Sequence, residues 1–203
     1  MKKLLLAIFF FCLTFLVSAQ QQNGKSRFNA EKQWVDSVFN TLTLDEKIGQ
    51  LFMVRAQSNL GQDHIDQLAT LVKDQKIGGV CFFKGGPARQ ANLTKYLQSI
   101  ARVPLLISID GEWGVSMRLD SSLVFPRQMT LGAISDNKLI YEFGSEVAKQ
   151  CRCLGIHMNF APDIDVNSNP LNPVINSRAF GEDKINVALK GAAYMKGMQD
   201  HGV

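Results

Sequence analysis

The fifteen residues LISIDGEWGVSMRLD, positions 106–120, concentrate the side chains of this chain best suited to chemistry. A short apolar run from Pro104 to Ile109 leads straight into Asp110, followed by a loop with glycines at 111 and 114. An acidic side chain at the C-terminal end of a buried parallel strand is where α/β folds place ligand chemistry. Gly111 and Gly114 carry no Cβ, so the backbone can turn sharply and approach a ligand closely. Glu112, Trp113 and Arg118 add a carboxylate, an aromatic face and a two-pronged donor within eight residues of Asp110. Carboxylates accept from hydroxyls, guanidinium donates to them, and an aromatic face covers C–H groups. The combination suits a polyhydroxylated ligand. The competing reading is structural: Asp110 caps the loop and Trp113 packs on the sheet.

A second cluster spans residues 159–181, with Asn159, Asp163 and Asp165 at the end of an apolar run and Arg178 further on. Pro162, Pro170 and Pro173 stiffen a loop of about twenty residues, a length that usually signals function or disorder. Arg178 could point its donors at the strand-end rim, or form a salt bridge to Asp163 or Asp165. His157 reads as an inward-facing core residue, and His64 and His201 as helix-surface residues without a role. Gly85-Gly86 could cradle an anion. The sequence has no Gly-x-Ser-x-Gly elbow, no His-x-x-x-His zinc pair and no phosphate-binding glycine loop. No metal site and no cofactor is expected.

The elements that must position these groups alternate regularly. A helical pattern runs from Ala30 to Leu42, with Trp34, Val35, Val38 and Phe39 on one face. Thr43 with Glu46 three residues on is a capping-box signal for a short helix, Leu44 to Ile48. Strands are expected at Leu51–Val54, Gly79–Phe83, Pro104–Ile109 and Ile156–Ala161. Helices are expected at Asp63–Asp74, Ala88–Ala101, Asn137–Cys153 and Lys184–Gln199, with a long loop around Phe125-Pro126-Arg127. Strands alternating with helices of this length indicate βαβ units and a parallel sheet. Each strand reads as continuously apolar, as when both faces are buried. Four strands with their helices amount to half of an eight-stranded barrel, which needs about 250 residues. Gly202 stops the last helix and Val203 reads as the start of a further strand, so the chain is expected to be the N-terminal portion of a longer protein.

Lys2 and Lys3, an apolar run from Leu4 to Val17, and Ser18-Ala19-Gln20 form a secretory signal peptide pattern over residues 1–19. Residues 20–28 read as a polar, disordered lead-in. Export to the periplasm or the extracellular space is expected. Cleavage would remove 19 of the 203 residues, leaving 184, and two lysines, lowering the net charge from +4 to +2. No basic run remains, so nucleic-acid binding has no electrostatic basis. No other segment approaches the ~20 apolar residues of a membrane span. Cys81, Cys151 and Cys153 would then be the cysteines left, an odd set that argues against a disulfide framework. Cys81 reads as a small core residue.

The ordered motifs Lys-Ile-Gly-Gln-Leu-Phe (47–52), Gly-Gly-Val-Cys-Phe-Phe (78–83), Ile-Asp-Gly-Glu-Trp-Gly-Val-Ser-Met-Arg-Leu (109–119), Phe-Pro-Arg-Gln-Met-Thr-Leu-Gly (125–132), Asn-Phe-Ala-Pro-Asp-Ile-Asp-Val (159–166) and Asn-Ser-Arg-Ala-Phe-Gly (176–181) resemble glycoside hydrolase family 3. The resemblance covers Thr43 to Val203 and points most to the β-N-acetylhexosaminidase branch. It implies a (β/α)8 TIM-type barrel, with residues 29–203 its N-terminal part, and hydrolysis of a terminal β-linked N-acetylhexosamine with retention. The amino-sugar glycoside would derive from peptidoglycan or chitin. It also implies that Asp110, Arg118 and Arg178 bind the sugar. Trp113 departs from the glycine usual in cell-wall-recycling members. The resemblance places the catalytic acid/base and the carboxylate nucleophile beyond Val203, so no catalytic residue is expected within the chain. A β-glucosidase or β-xylosidase of the same family, and a non-catalytic or vestigial sugar-binding protein, stand as alternatives.

Overall fold

The computed structural model describes residues 28–203, so the signal-peptide pattern at 1–19 and positions 20–27 of the lead-in lie outside the described residues. The first helix, α1, spans 28–41 and so takes Phe28 from that stretch. The chain divides into two compact units after Lys47. In the first, the capping box forms as expected before α2 (Leu44–Gly49). The Thr43 amide donates to Glu46 Oε2 at 2.9 Å, and the Glu46 amide donates back to Thr43 Oγ1 at 3.3 Å.

The second unit is built from β1 (Met53–Gln57), α3 (Gln62–Lys73), β2 (Gly79–Lys84), α4 (Pro87–Ile100), β3 (Leu106–Ile109), α5 (Gln128–Gly132), α6 (Asn137–Cys153), β4 (Met158–Asn159) and α7 (Lys184–Gln199). All pairings are parallel and the strand order is β1-β2-β3-β4, the sequential order of a barrel wall. Val80, Phe82, Ile107 and Ile109 are fully buried against helical residues such as Leu97, Ile140 and Val147. Alternate strand positions point the other way, since successive Cβ atoms in a strand alternate; there Ser108 Oγ donates to Met53 Sδ.

Three strands differ from the sequence expectation by more than a single residue, β3 only in starting at Leu106 instead of Pro104. β1 starts at Met53, not Leu51, and is not continuously apolar: Arg55 is exposed while Ala56 is fully buried. Register with β2 decides this strand, pairing Met53 with Gly79. β4 keeps only two residues, although His157 N donates to Ile107 O and Phe160 N to Ile109 O, both at 2.8 Å. Beyond them Pro162 has no N–H to extend a ladder. His157 is exposed at this strand, with Nδ1 accepting from the Ile107 amide at 3.1 Å, and is not a core residue.

The helix bounds agree closely, because side-chain caps start the two longest. Asp136 accepts from the Lys138 amide ahead of α6, and Asp183 from the Asn186 amide ahead of α7. The loop around Phe125 contains α5, a short helix beyond those expected from the sequence. His201 is half-buried, with Nε2 3.1 Å from Ser145 Oγ. Cys81 and Cys151 are buried, and burial pushes the Cys151 thiol up to about 12. None of the described helices is long and apolar enough to cross a membrane.

Candidate functional site

β3 delivers Asp110 to the C-terminal edge of the sheet, one residue past the fully buried Ile109. The loop after it is folded tightly. Gly114 sits at φ +92°, a conformation that strains residues with a side chain, and a Cβ on Gly111 would lie 2.9 Å from the Gly114 carbonyl. Asn159, at the end of β4, clamps the same turn: Gly111 N donates to its Oδ1 at 2.9 Å, and its Nδ2 donates to Gly111 O at 3.1 Å. Asn159 is therefore a brace for the Asp110 loop and not a third group of the cleft. The Tyr194 hydroxyl donates to the same carbonyl at 3.5 Å, and burial holds that phenol protonated far above the usual range.

A single 3-10 turn, Val115–Met117, then returns the chain so that Arg118 faces Asp110. Arg118 Nη2 donates to Asp110 Oδ2, and Nε donates to the Asp110 carbonyl at 2.7 Å. The guanidinium lies 4.6 Å from the ring centroid of Phe83, at the end of β2. The ends of β2 and β3 thus meet at one ion pair.

Arg178 comes from a second 3-10 turn, Asn176–Arg178. Its Nε donates to both Glu112 carboxylate oxygens at 3.0 Å and Nη2 donates to Glu112 Oε1 at 2.6 Å. Asp163 Oδ2 lies 3.2 Å from Nη2. Hydrogen bonding to Glu112, reinforced by the charges of Glu112, Asp163 and Asp110, raises its pKa still further. Asp163 is engaged on its other oxygen too, which accepts from the Asp165 amide at 2.8 Å. Asp110, Glu112, Phe160, Asp163, Asp165 and Arg178 line one open cleft of about 370 Å³. Asp165 is exposed at its rim.

Asp110 and Arg178 thus share the cleft, and Arg118 joins them through Asp110. The sequence reading missed Glu112 as the main partner of Arg178: the two stand 66 positions apart, and Glu112 is only 2% exposed. Its position two residues past a strand-end aspartate was the available signal. Trp113 is half-buried, and the Arg127 guanidinium lies over its ring, 4.8 Å from the centroid.

The glycines at 85 and 86 do not form an open anion cradle, because Asp120 already fills that place. Asp120 N donates to Gly85 O at 2.7 Å, and its carboxylate pairs with Arg89 at 2.8 Å beside Gly86. A larger cavity, about 550 Å³ between α3 and α4, is lined by residues including Leu60, Leu93 and Tyr96 and has no carboxylate in its wall. No cluster of three metal-binding side chains occurs among the described residues.

The cleft offers carboxylates fixed by guanidinium groups, the arrangement for holding hydroxyls through charge-assisted hydrogen bonds. Residues 43–203 match the glycosyl hydrolase family 3 N-terminal domain. The chain belongs to glycoside hydrolase family 3. Its fold is accordingly the TIM-barrel-like α/β fold of that domain, in agreement with the parallel sheet.

It is 32% identical over 170 residues to a β-N-acetylglucosaminidase/β-glucosidase of Cellulomonas fimi, covering 84% of this chain and 29% of that protein. It is 37% identical over 150 residues to β-hexosaminidase A of Pseudoalteromonas piscicida, covering 68% and 25%. Among solved structures it resembles a family 3 β-N-acetylglucosaminidase from Paenibacillus sp. str. FPU-7, with a TM-score of 0.71 and 40% identity over 80% of this chain and 32% of that one. The chain thus spans about a third or less of the length of each of these three proteins.

Proposed function

We propose that residues 43–203 form the sugar-holding side of the active centre of an exported, retaining β-N-acetylhexosaminidase that removes terminal β-linked N-acetylglucosamine. The substrate would be an amino-sugar glycoside of peptidoglycan or chitin origin. The observation that carries the reading is the cleft in which Asp110, locked to Arg118, faces Arg178. Asp110 Oδ1 stays available to accept from a sugar hydroxyl, Arg118 keeps Nη1 for donation, and Arg178 keeps an N–H on Nη1. Retaining hydrolysis needs a carboxylate nucleophile on one face of the anomeric carbon and a proton donor on the other. Asp110, Glu112 and Asp163 are each committed to an arginine, which suits them to holding the ring. The nucleophile and acid/base are assigned to sequence beyond Val203, in line with the share of each relative that the chain spans. The name of the Cellulomonas relative favours β-glucoside hydrolysis as the second reading.

The test is turnover of 4-nitrophenyl N-acetyl-β-glucosaminide and of the matching β-glucoside by the protein expressed from its complete gene. Preference for the acetamido sugar is expected. Preference for the glucoside supports the second reading, and turnover of neither overturns both. Mass spectrometry of the protein from its native host should find Gln20 at the N-terminus; a mature Met1 form would rule out export by signal cleavage.

A further inference from the structure

Glu112 lines the cleft without being free to serve a ligand. Its side chain is 3% exposed, and both carboxylate oxygens accept from Arg178. The Arg178 side chain, by contrast, is one-third exposed. Of its five N–H groups, those on Nε and Nη2 point at Glu112 and Asp163, and Nη1 reaches the Val174 carbonyl at 3.4 Å. The bidentate geometry fixes the plane of the guanidinium, and with it the direction of the remaining Nη1 donor.

The neighbouring residues repeat the tie. Trp113 carries Arg127 on its ring, and Arg127 Nη1 donates to Ser177 Oγ at 2.9 Å. Residues 112 and 113 are thus linked to 178 and 177 by two adjacent rungs, one buried and ionic, one exposed and stacked. Both cross from the loop after β3 to the loop after β4.

We propose that Glu112 is a positioning residue: it aims the Arg178 guanidinium at the sugar, and the Trp113–Arg127–Ser177 rung steadies the loop that carries it. The proposal rests on the reading of Arg178 as a sugar-binding residue. Glu112 touches no substrate. It acts through Arg178.

The test is a double-mutant cycle in the protein expressed from its complete gene, with whichever of the two 4-nitrophenyl glycosides the wild type cleaves. Glu112→Gln keeps the shape and removes the charge, and Arg178 retains Asp163 and solvent, so the fold should survive. Its kcat/KM should fall about tenfold, most of it in KM, the loss of one well-aimed charge-assisted hydrogen bond. Arg178→Ala should lose more. The double variant should match Arg178→Ala within about twofold, because a residue acting through Arg178 has nothing left to act on.

A merely structural role would add its loss to that of Arg178→Ala, and additivity overturns the proposal. Arg178→Ala with wild-type KM sinks the sugar-binding reading itself. A weakened Arg178→Ala beside a normal Glu112→Gln sinks the positioning role alone. Glu112→Asp keeps the charge but withdraws it by one methylene, and should show a milder loss of the same KM-weighted kind. A Glu112→Gln protein that fails to fold, with Glu112→Asp kinetically normal, assigns Glu112 to the fold and overturns the proposal.

Discussion

Asp110 is the residue on which the cleft turns, and its two oxygens do different things. Oδ2 is taken by Arg118, which also holds the Asp110 carbonyl, while the side chain remains 27% exposed along the cleft. Replacing it with alanine removes the proposed sugar acceptor and frees Arg118 from its main restraint. Charge-assisted hydrogen bonds contribute roughly 1.5–3 kcal/mol each, so Asp110→Ala should lower kcat/KM by about 10- to 100-fold in the full protein. A nucleophile would behave differently: its loss abolishes turnover, and azide restores it by giving an inverted glycosyl azide. Azide rescue of Asp110→Ala would therefore overturn its assignment to binding. Asp110 and Arg118 were legible in the sequence because a strand end and two glycines place them without long-range information. The pairing of Arg178 with Asp163 was legible as well, since both lie on the loop after β4, but its main partner was not: Glu112 reaches it from the loop after β3, which only the folded sheet brings close.

The elements were legible where local chemistry sets them. α6 and α7 begin at aspartate caps and run to the residues expected, whereas β1 and β4 are bounded by pairing and by Pro162, which no periodicity reveals. Contact between α6 and α7 was equally hidden. It depends on Gly144, where a Cβ would lie 2.3 Å from the Tyr194 carbonyl, and on Gly197, where one would lie 2.2 Å from the Tyr141 carbonyl. These glycines let two helix backbones meet while Tyr194, fully buried, stacks on Phe143 at 4.9 Å. Because the obstacle is backbone, relief requires the helices to separate. Overpacking of this kind costs about 1–3 kcal/mol, against about 1 kcal/mol gained in helix propensity. With a net loss of up to about 2 kcal/mol, Gly144→Ala should lower Tm by up to about 8 °C, at about 2–4 °C per kcal/mol for a domain of this size. It should also weaken substrate binding, since Tyr194 braces the Gly111 carbonyl beside Asp110. An unchanged or raised melting temperature would show that the helices do not meet at these glycines.

Among the described residues, the sheet of the second unit pairs β1 and β4 on one side only, so each leaves an edge of unpaired backbone groups. Apolar surface accompanies both edges. Leu51 and Phe52 are 84% and 58% exposed beside β1, and Phe160 and Ile164 are 52% and 64% exposed beside β4. Between the loop at 161–166 and α7 lies an apolar trough of about 510 Å³, its walls including Ile164, Val187 and Met195. Contiguous exposed apolar patches and open strand edges are templates for association. A purified 20–203 polypeptide should therefore enhance the fluorescence of an apolar dye such as ANS several-fold and sediment as species larger than a monomer. It should show no turnover of the chromogenic glycosides. The protein from the complete gene should do neither of the first two, because in the barrel fold of this family the remaining strands cover the inner face and close the sheet. Fluorescence titration and analytical ultracentrifugation of the two proteins side by side decide it. A monodisperse, dye-silent 20–203 monomer would mean that these edges are satisfied within the polypeptide itself. Asp110-dependent turnover by that monomer would further require catalytic groups inside residues 43–203, and the assignment of Asp110, Arg118 and Arg178 to sugar binding alone would fall.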